Sequence, residues 1–90
     1  MIVRILNEGQ YKLRGDYLVR LDELDHRLTG AIASGDDTQF REAFAEMLDT
    51  VRSGGQRLPD GALAESDLVL PAPDATMKDV QLLFTDNITG

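Results

Sequence analysis

The 90-residue sequence contains no cysteine and no tryptophan, and it has a single histidine. The absence of cysteine excludes disulfides, thiol catalysis and cysteine-ligated zinc or iron–sulfur sites, and it favours a reducing compartment. Long hydrophobic runs are also missing, because no apolar stretch approaches the ~20 residues that a membrane-spanning helix needs. Residues 1–6 lack the basic region and long apolar stretch of a signal peptide. We therefore expect a cytoplasmic chain that does not insert directly into a membrane.

Positive charge is scarce, since nine Lys and Arg residues face 16 Asp and Glu residues and the formal net charge is −7. Nucleic-acid affinity depends largely on Lys and Arg side chains that replace the counterions of the phosphates. The composition therefore predicts no nucleic-acid partner. Basic protein surfaces are the natural electrostatic partners of such a chain.

Length and composition predict a single domain spanning residues 1–90, with 42% hydrophobic and 28% charged residues. This fraction is too apolar for a disordered tail. A core of this size leaves only a few kcal/mol of net stability, and no disulfide adds to it. Association with a partner, or with further copies of the chain as a homo-oligomer, would supplement that stability.

The N-terminal residues predict a β-hairpin. Residues 2–6 and 10–13 are short β-prone runs, separated by Asn7-Glu8-Gly9, and Gly9 can take the positive φ of a tight turn. Tyr11 and Leu13 share one face of the second run, because side chains alternate along a strand. That face is expected to pack on the helices, since an isolated hairpin is marginal in water.

Two amphipathic helices follow. Asp16 is the predicted N-cap of the first helix and Gly35 its C-terminal stop, and the second helix is predicted over residues 38–53, ended by Gly54-Gly55. Such a short connection predicts an antiparallel helical hairpin. Apolar residues at spacings of three and four define the core stripes: Tyr17, Leu18, Leu21, Leu24, Leu28, Ala31 and Ile32 in the first helix, and Phe40, Ala43, Phe44, Met47, Leu48 and Val51 in the second.

The C-terminal third is less regular. Residues 56–65 are predicted as a polar loop, and residues 67–70 as a short edge strand or extended segment that Pro71 and Pro73 halt. Residues 76–79 have the form of a capping box and predict a short third helix, with Met77, Val80, Leu83 and Phe84 on one side. The predicted fold class is therefore α+β: an N-terminal β-hairpin packed on an antiparallel helical hairpin, with a short C-terminal strand or extended segment and a short third helix.

One candidate metal site is conceivable in the first helix. Asp22 and His26 lie four residues apart, and Asp25 is adjacent to the histidine. A third ligand is not identifiable, so the preferred interpretation is a surface pair rather than a metal centre. A metal-binding or enzymatic domain that uses these residues is the least favoured alternative.

The remaining polar residues do not form a catalytic pattern. Asp36 and Asp37 lack the spacing of a calcium loop, and helix capping accounts for both. Ser34, Ser53 and Ser66 lack the Gly-x-Ser-x-Gly context of an activated nucleophile and have no second histidine as base. We expect no catalytic, cofactor-binding or metal residues, and a non-enzymatic protein.

Two end motifs are distinctive: MIVRILNEGQYKL at residues 1–13, and SDLVLP at residues 66–71 followed by Asp-Ala-Thr at residues 74–76. They resemble the PspAA family, small proteins associated with phage shock protein A and found beside it in bacteria and archaea. The resemblance extends over essentially the whole chain. The sequence departs from the family pattern at Asn7, where a glycine is expected, and at residues 85–90, where an ending like Gly-Leu-Ile-Pro-Gly is common.

The resemblance implies a cytoplasmic accessory protein of the envelope-stress response. Its implied partner is a PspA-like coiled-coil, membrane-associated protein, and recruitment to the inner membrane face through that partner is compatible with this expectation. The family contributes no catalytic residues to this chain. The alternative of a different class is a self-assembling structural module that forms a homo-oligomer.

Overall fold

The computed structural model describes residues 1–61 and 64–80, and it combines two packed helices with a four-stranded mixed sheet. A third helix begins within residues 77–80. The predicted α+β class is confirmed. In chain order the elements are β1 (Ile2–Ile5), β2 (Gly9–Lys12), α1 (Asp16–Ser34), α2 (Asp37–Gly54), β3 (Gln56–Arg57) and β4 (Leu68–Leu70).

The predicted hairpin is formed by β1 and β2, which pair antiparallel with Ile5 opposite Gly9. The Glu8 N–H donates to the Ile5 carbonyl over 3.0 Å and closes the turn. Asn7 has φ 66° and Gly9 has φ 156°. Asparagine tolerates the left-handed region better than most residues with a side chain. Asn7 therefore adopts the left-handed conformation that this turn requires.

The sheet has the order β3-β2-β1-β4, so that the two C-terminal strands form its edges. β4 pairs parallel with β1, which confirms the predicted edge strand. The prediction of a loop over residues 56–65 is wrong at its start, because β3 pairs antiparallel with β2, Tyr11 opposite Arg57. Two residues are too few to show strand periodicity, so this pairing depends on the neighbouring strand rather than on local sequence.

Ala64 and Ser66, which lie in the connection between β3 and β4, contact the sheet face that points away from the helices. Gln10, which is 6% exposed, donates from Nε2 to the Ala64 carbonyl and to Ser66 Oγ, each over 2.8 Å. Gln10 lies opposite Arg4 and therefore on the face away from the core residues of β1. This side chain ties the connection to the sheet.

The start of α1 differs from the prediction. Asp16 is not the N-cap; Gly15 occupies that position with φ 61° and ψ −132°, and no side chain caps the helix. This backbone conformation is accessible essentially to glycine alone, so the chain turns sharply at Gly15 and Asp16 becomes the first helical residue. At this position the negative charge of Asp16 interacts favourably with the positive N-terminal end of the helix dipole. Tyr17, predicted in the apolar stripe, is 49% exposed.

The connection between the helices follows the prediction. Gly35 is left-handed with φ 70°, and the Asp36 N–H donates to the Ala31 carbonyl over 2.9 Å. The Asp36 carboxylate then accepts from the Gln39 N–H over 3.1 Å and caps α2. These contacts turn the chain within two residues, and α1 and α2 pack against each other.

One core unites the two helices with the inner face of the sheet. All six residues of the predicted α2 stripe are buried, and the Phe40 and Phe44 ring centroids lie 5.6 Å apart. The α1 stripe is buried at four of its seven positions. The largest fully buried side chains are Phe40, Ile5, Leu13, Leu24, Met47, Val3 and Val51.

The capping box at residues 76–79 is confirmed. The Asp79 N–H donates to Thr76 Oγ1 over 3.2 Å, and the Thr76 N–H donates to Asp79 Oδ2 over 3.0 Å. Val80 is 2% exposed and joins the core, with Met77 packed against it. The predicted contacts of Leu83 and Phe84, and the tail at residues 85–90, lie outside the described residues.

Candidate docking surface

The candidate metal residues lie on the exposed side of α1. His26 Nδ1 is 2.9 Å from the Asp22 carbonyl oxygen and 3.8 Å from Asp22 Oδ2, and both side chains are at least 75% exposed. The hydrogen bond to the Asp22 backbone, and then the Asp22 charge, raise the pKa of His26. Within residues 1–61 and 64–80, no three His, Cys, Asp or Glu side chains form a group suited to a metal ion. The geometry is that of a surface i,i+4 pair.

The other polar candidates make local contacts. Asp36 caps α2, and Asp37 forms a 2.8 Å ion pair with Arg41 one turn later. The structure does not bring the three serines together. Ser34 Oγ donates to the Gly30 carbonyl over 3.0 Å, Ser53 Oγ contacts Asp49 Oδ1 at 3.4 Å, and Ser66 accepts from Gln10.

Sequence reasoning missed a polar cluster that joins the β1–β2 turn to the end of α2. Arg52 donates from Nε to Glu8 Oε2 over 2.9 Å and from its terminal nitrogen to Glu8 Oε1, and the Tyr11 hydroxyl donates to Glu8 Oε2 over 2.8 Å. Arg57 donates to the Glu8 carbonyl over 3.0 Å. The hydrogen bond from Arg52 lowers the pKa of Glu8 from 4.5 to about 2, while burial raises the pKa of Tyr11. Because 44 residues separate Glu8 from Arg52, no local motif predicts the pair.

The arginines of α1 face α2. Glu46 of α2 accepts hydrogen bonds from Arg20 over 2.7 Å and from Arg27 over 3.3 Å. Arg20 also contacts Glu23 at 3.4 Å. Arg27, four residues after Glu23 and well placed in sequence to pair with it, is turned toward α2 instead. The positive charge of α1 is therefore concentrated along the seam between the helices.

The other side of α1 borders a groove that reaches the edge strand β4. We call it the α1–β4 groove; its volume is about 260 Å³, and its lining consists of Met1, Leu18, Leu21, Asp22, Asp25 and Leu68. Leu18 and Leu68 are half-buried against the core, whereas Met1 is 43% exposed. Four of its lining side chains are apolar and the other two are carboxylates, so the groove combines apolar surface with negative charge.

The sequence model of one protein family, described as PspA-Associated protein (PspAA), matches residues 1–90. The chain belongs to the PspAA family. The resemblance carried by the two end motifs is thereby confirmed, and membership in the PspAA family connects the chain with PspA. Comparisons with curated proteins and with solved structures gave no match. Among the helical residues that the structure of this PspAA-family chain describes, none form a segment long and apolar enough to cross a membrane.

Proposed function

We propose that this chain is a non-enzymatic accessory protein of a phage-shock-type membrane-stress response, and that it acts by contact with a PspA-like coiled-coil protein. The match of the PspAA family over residues 1–90 carries this proposal. The proposed setting is the cytoplasm, with recruitment to the inner membrane face through that partner.

The placement of the polar side chains supports a role in binding rather than catalysis. Glu8 and Arg52 hold the hairpin turn to α2, Glu46 holds the two helices together, and Asp36 caps a helix. Each of these charged groups has a structural contact. The apolar groove beside α1 offers the kind of surface that helical partners use.

Binding to the purified PspA-type protein of the same organism tests the proposal. Isothermal titration calorimetry is carried out with that protein alone and with that protein bound to anionic vesicles. We expect saturable binding in at least one of the two states, and co-sedimentation of this chain with vesicles only when the PspA-type protein is present. An unrelated acidic domain of similar net charge controls for nonspecific electrostatic attraction.

Two results would contradict the proposal. Absence of binding up to high micromolar concentration in both states would exclude the PspA-type protein as a direct partner. Equal binding of the acidic control domain would show that the attraction depends on net charge alone and is not specific to this chain.

A further inference from the structure

We propose that the α1–β4 groove is the docking site for a basic amphipathic helix of the partner, which places its apolar side chains in the groove and its Lys or Arg side chains on Asp22 and Asp25. This inference rests on the proposed function and assigns the surface that performs it. Its supporting observations are the apolar lining of the groove, the distribution of charge around α1 and the spacing of the two carboxylates.

The groove exposes apolar side chains that the core does not cover. Met1 is 43% exposed, and Leu18 and Leu68 are only half-buried against the core. These residues belong to three separate parts of the chain, the N-terminus, α1 and β4, so the groove exists only in the folded protein. Helices commonly bind such grooves through apolar residues at spacings of three and four.

Charge around α1 is distributed unequally. On the α2 side, Arg20 and Arg27 neutralise Glu46. On the groove side, Asp25 makes no ion pair with any residue in the described ranges, and Asp22 meets only the imidazole of His26 at 3.8 Å. The Met1 ammonium at the groove donates to the Leu13 carbonyl over 3.1 Å. The groove lining therefore holds two carboxylates against the single positive charge of the Met1 ammonium, a balance that favours a basic partner.

The spacing of the carboxylates suits a helix. Asp22 and Asp25 are three residues apart on α1, which places their Cβ atoms ~5–6 Å from each other. Two basic residues at i,i+3 or i,i+4 on a partner helix have the same separation, so both ion pairs can form together.

Two other concave surfaces have a weaker case. The cleft beside the hairpin turn is lined by Arg4, Glu8 and Asp60, but the Glu8 carboxylate is bound by Arg52 and Tyr11. The groove between α2 and residues 73–77 contains Asp37, which is paired with Arg41. Arg4 and Asp74 also line these surfaces without an ion pair, but within the described residues neither surface holds two carboxylates that lack an Arg partner.

The test compares two double variants in calorimetry with the purified, full-length PspA-type protein. Asp22→Asn with Asp25→Asn removes two negative charges at the groove. Glu42→Gln with Asp49→Asn removes two exposed negative charges from α2 and is the matched control. We expect the groove variant to bind about 5- to 30-fold more weakly and the control to stay within about twofold of the original chain.

The apolar part of the groove is tested on one strand. Leu68→Thr changes a groove side chain, whereas Val69→Thr changes a neighbour that is 50% exposed on the opposite face of β4. Loss of affinity in the Leu68 variant alone supports the proposal. Circular dichroism and thermal melting confirm that each variant is folded, and the Asp22 and Asp25 variant tests the site independently if the Leu68 variant unfolds.

The outcomes distinguish failure of the proposed docking site from failure of the proposed function. If the original chain binds and the groove variants bind equally well, the docking site is wrong and the proposed function stands. If the original chain does not bind the PspA-type protein at all, both are overturned. Binding that is unchanged between about 50 mM and about 300 mM salt would contradict the ion pairs specifically.

Discussion

The ion pair between Glu8 and Arg52 should stabilise the fold measurably, since it joins the hairpin turn to the last turn of α2. A fall of the Glu8 pKa from 4.5 to about 2 corresponds to an upper limit of ~3.4 kcal/mol. The Arg52 side chain is 43% exposed, so solvent screens the interaction. We therefore expect a coupling free energy of about 1–2 kcal/mol.

A double-mutant cycle with Glu8→Gln, Arg52→Gln and both together measures this coupling. The free energy of unfolding is obtained from urea titrations monitored by circular dichroism at pH 7. The control cycle uses Asp37→Asn and Arg41→Gln, an i,i+4 pair whose side chains are 50% and 77% exposed. We expect the control coupling to stay below about 0.5 kcal/mol.

The pH dependence gives the same test a second readout. The pKa of Glu8 is lower in the folded chain than in the unfolded chain, so its stabilisation is complete above pH 4.5 and is lost as the pH falls toward about 2. The stability difference between the original chain and Glu8→Gln should therefore shrink to less than half between pH 5 and pH 3. A coupling no larger than the control, or a difference independent of pH, would refute the reasoning.

Three further predictions concern glycines and the histidine. Gly55→Ala should lower stability by about 1–3 kcal/mol, because a Cβ there would lie 2.5 Å from the Val51 carbonyl oxygen. Thermal melting compares it with Gly30→Ala, which has open space around the new Cβ and should raise stability by about 0.5–1 kcal/mol. Gly15→Ser should destabilise by about 1–3 kcal/mol although serine is a favoured N-cap, since φ is 61° and ψ −132°; a gain in urea midpoint would contradict this. NMR titration should give His26 a pKa above 6.5, and Asp22→Asn should lower that pKa only in part because the backbone acceptor remains. The contribution of protonated His26 to stability is present below pH 6.5 and is lost as the pH rises through the raised pKa.

Local patterns predicted most of the fold. The α2 stripe, the left-handed Gly35 and the capping box at residues 76–79 each depend on residues within about three helical turns, and each is confirmed. The errors depend on context. At Gly15, the backbone conformation displaced the expected cap to a residue with no side chain, and β3 formed only because β2 offers it a partner strand.

The α1–β4 groove could not be predicted from the periodicity of apolar residues. Asp22 and Asp25 are visible in the sequence as acidic residues near a histidine, and that proximity indicates a surface pair, with a metal site as the less favoured alternative, and not a partner contact. Their relation to Met1 and Leu68 depends on tertiary structure, since β4 pairs parallel with β1 and brings Leu68 beside the N-terminus. Only the fold shows that apolar surface coincides there with two carboxylates that have no Lys or Arg partner in the described residues.

The distribution of arginines links stability with binding in this chain. A protein with nine basic and 16 acidic residues cannot pair its carboxylates one for one with Lys and Arg, and seven acidic residues remain in excess. Arg20 and Arg27 both serve Glu46, and Arg52 serves Glu8. A further arginine on the groove side of α1 would add little to the stability of an exposed helix, yet it would repel a basic partner. The shortage of positive charge that argues against nucleic-acid binding thus also leaves the edge of an apolar groove negative. A basic amphipathic helix would make apolar contacts and ion pairs together at this edge.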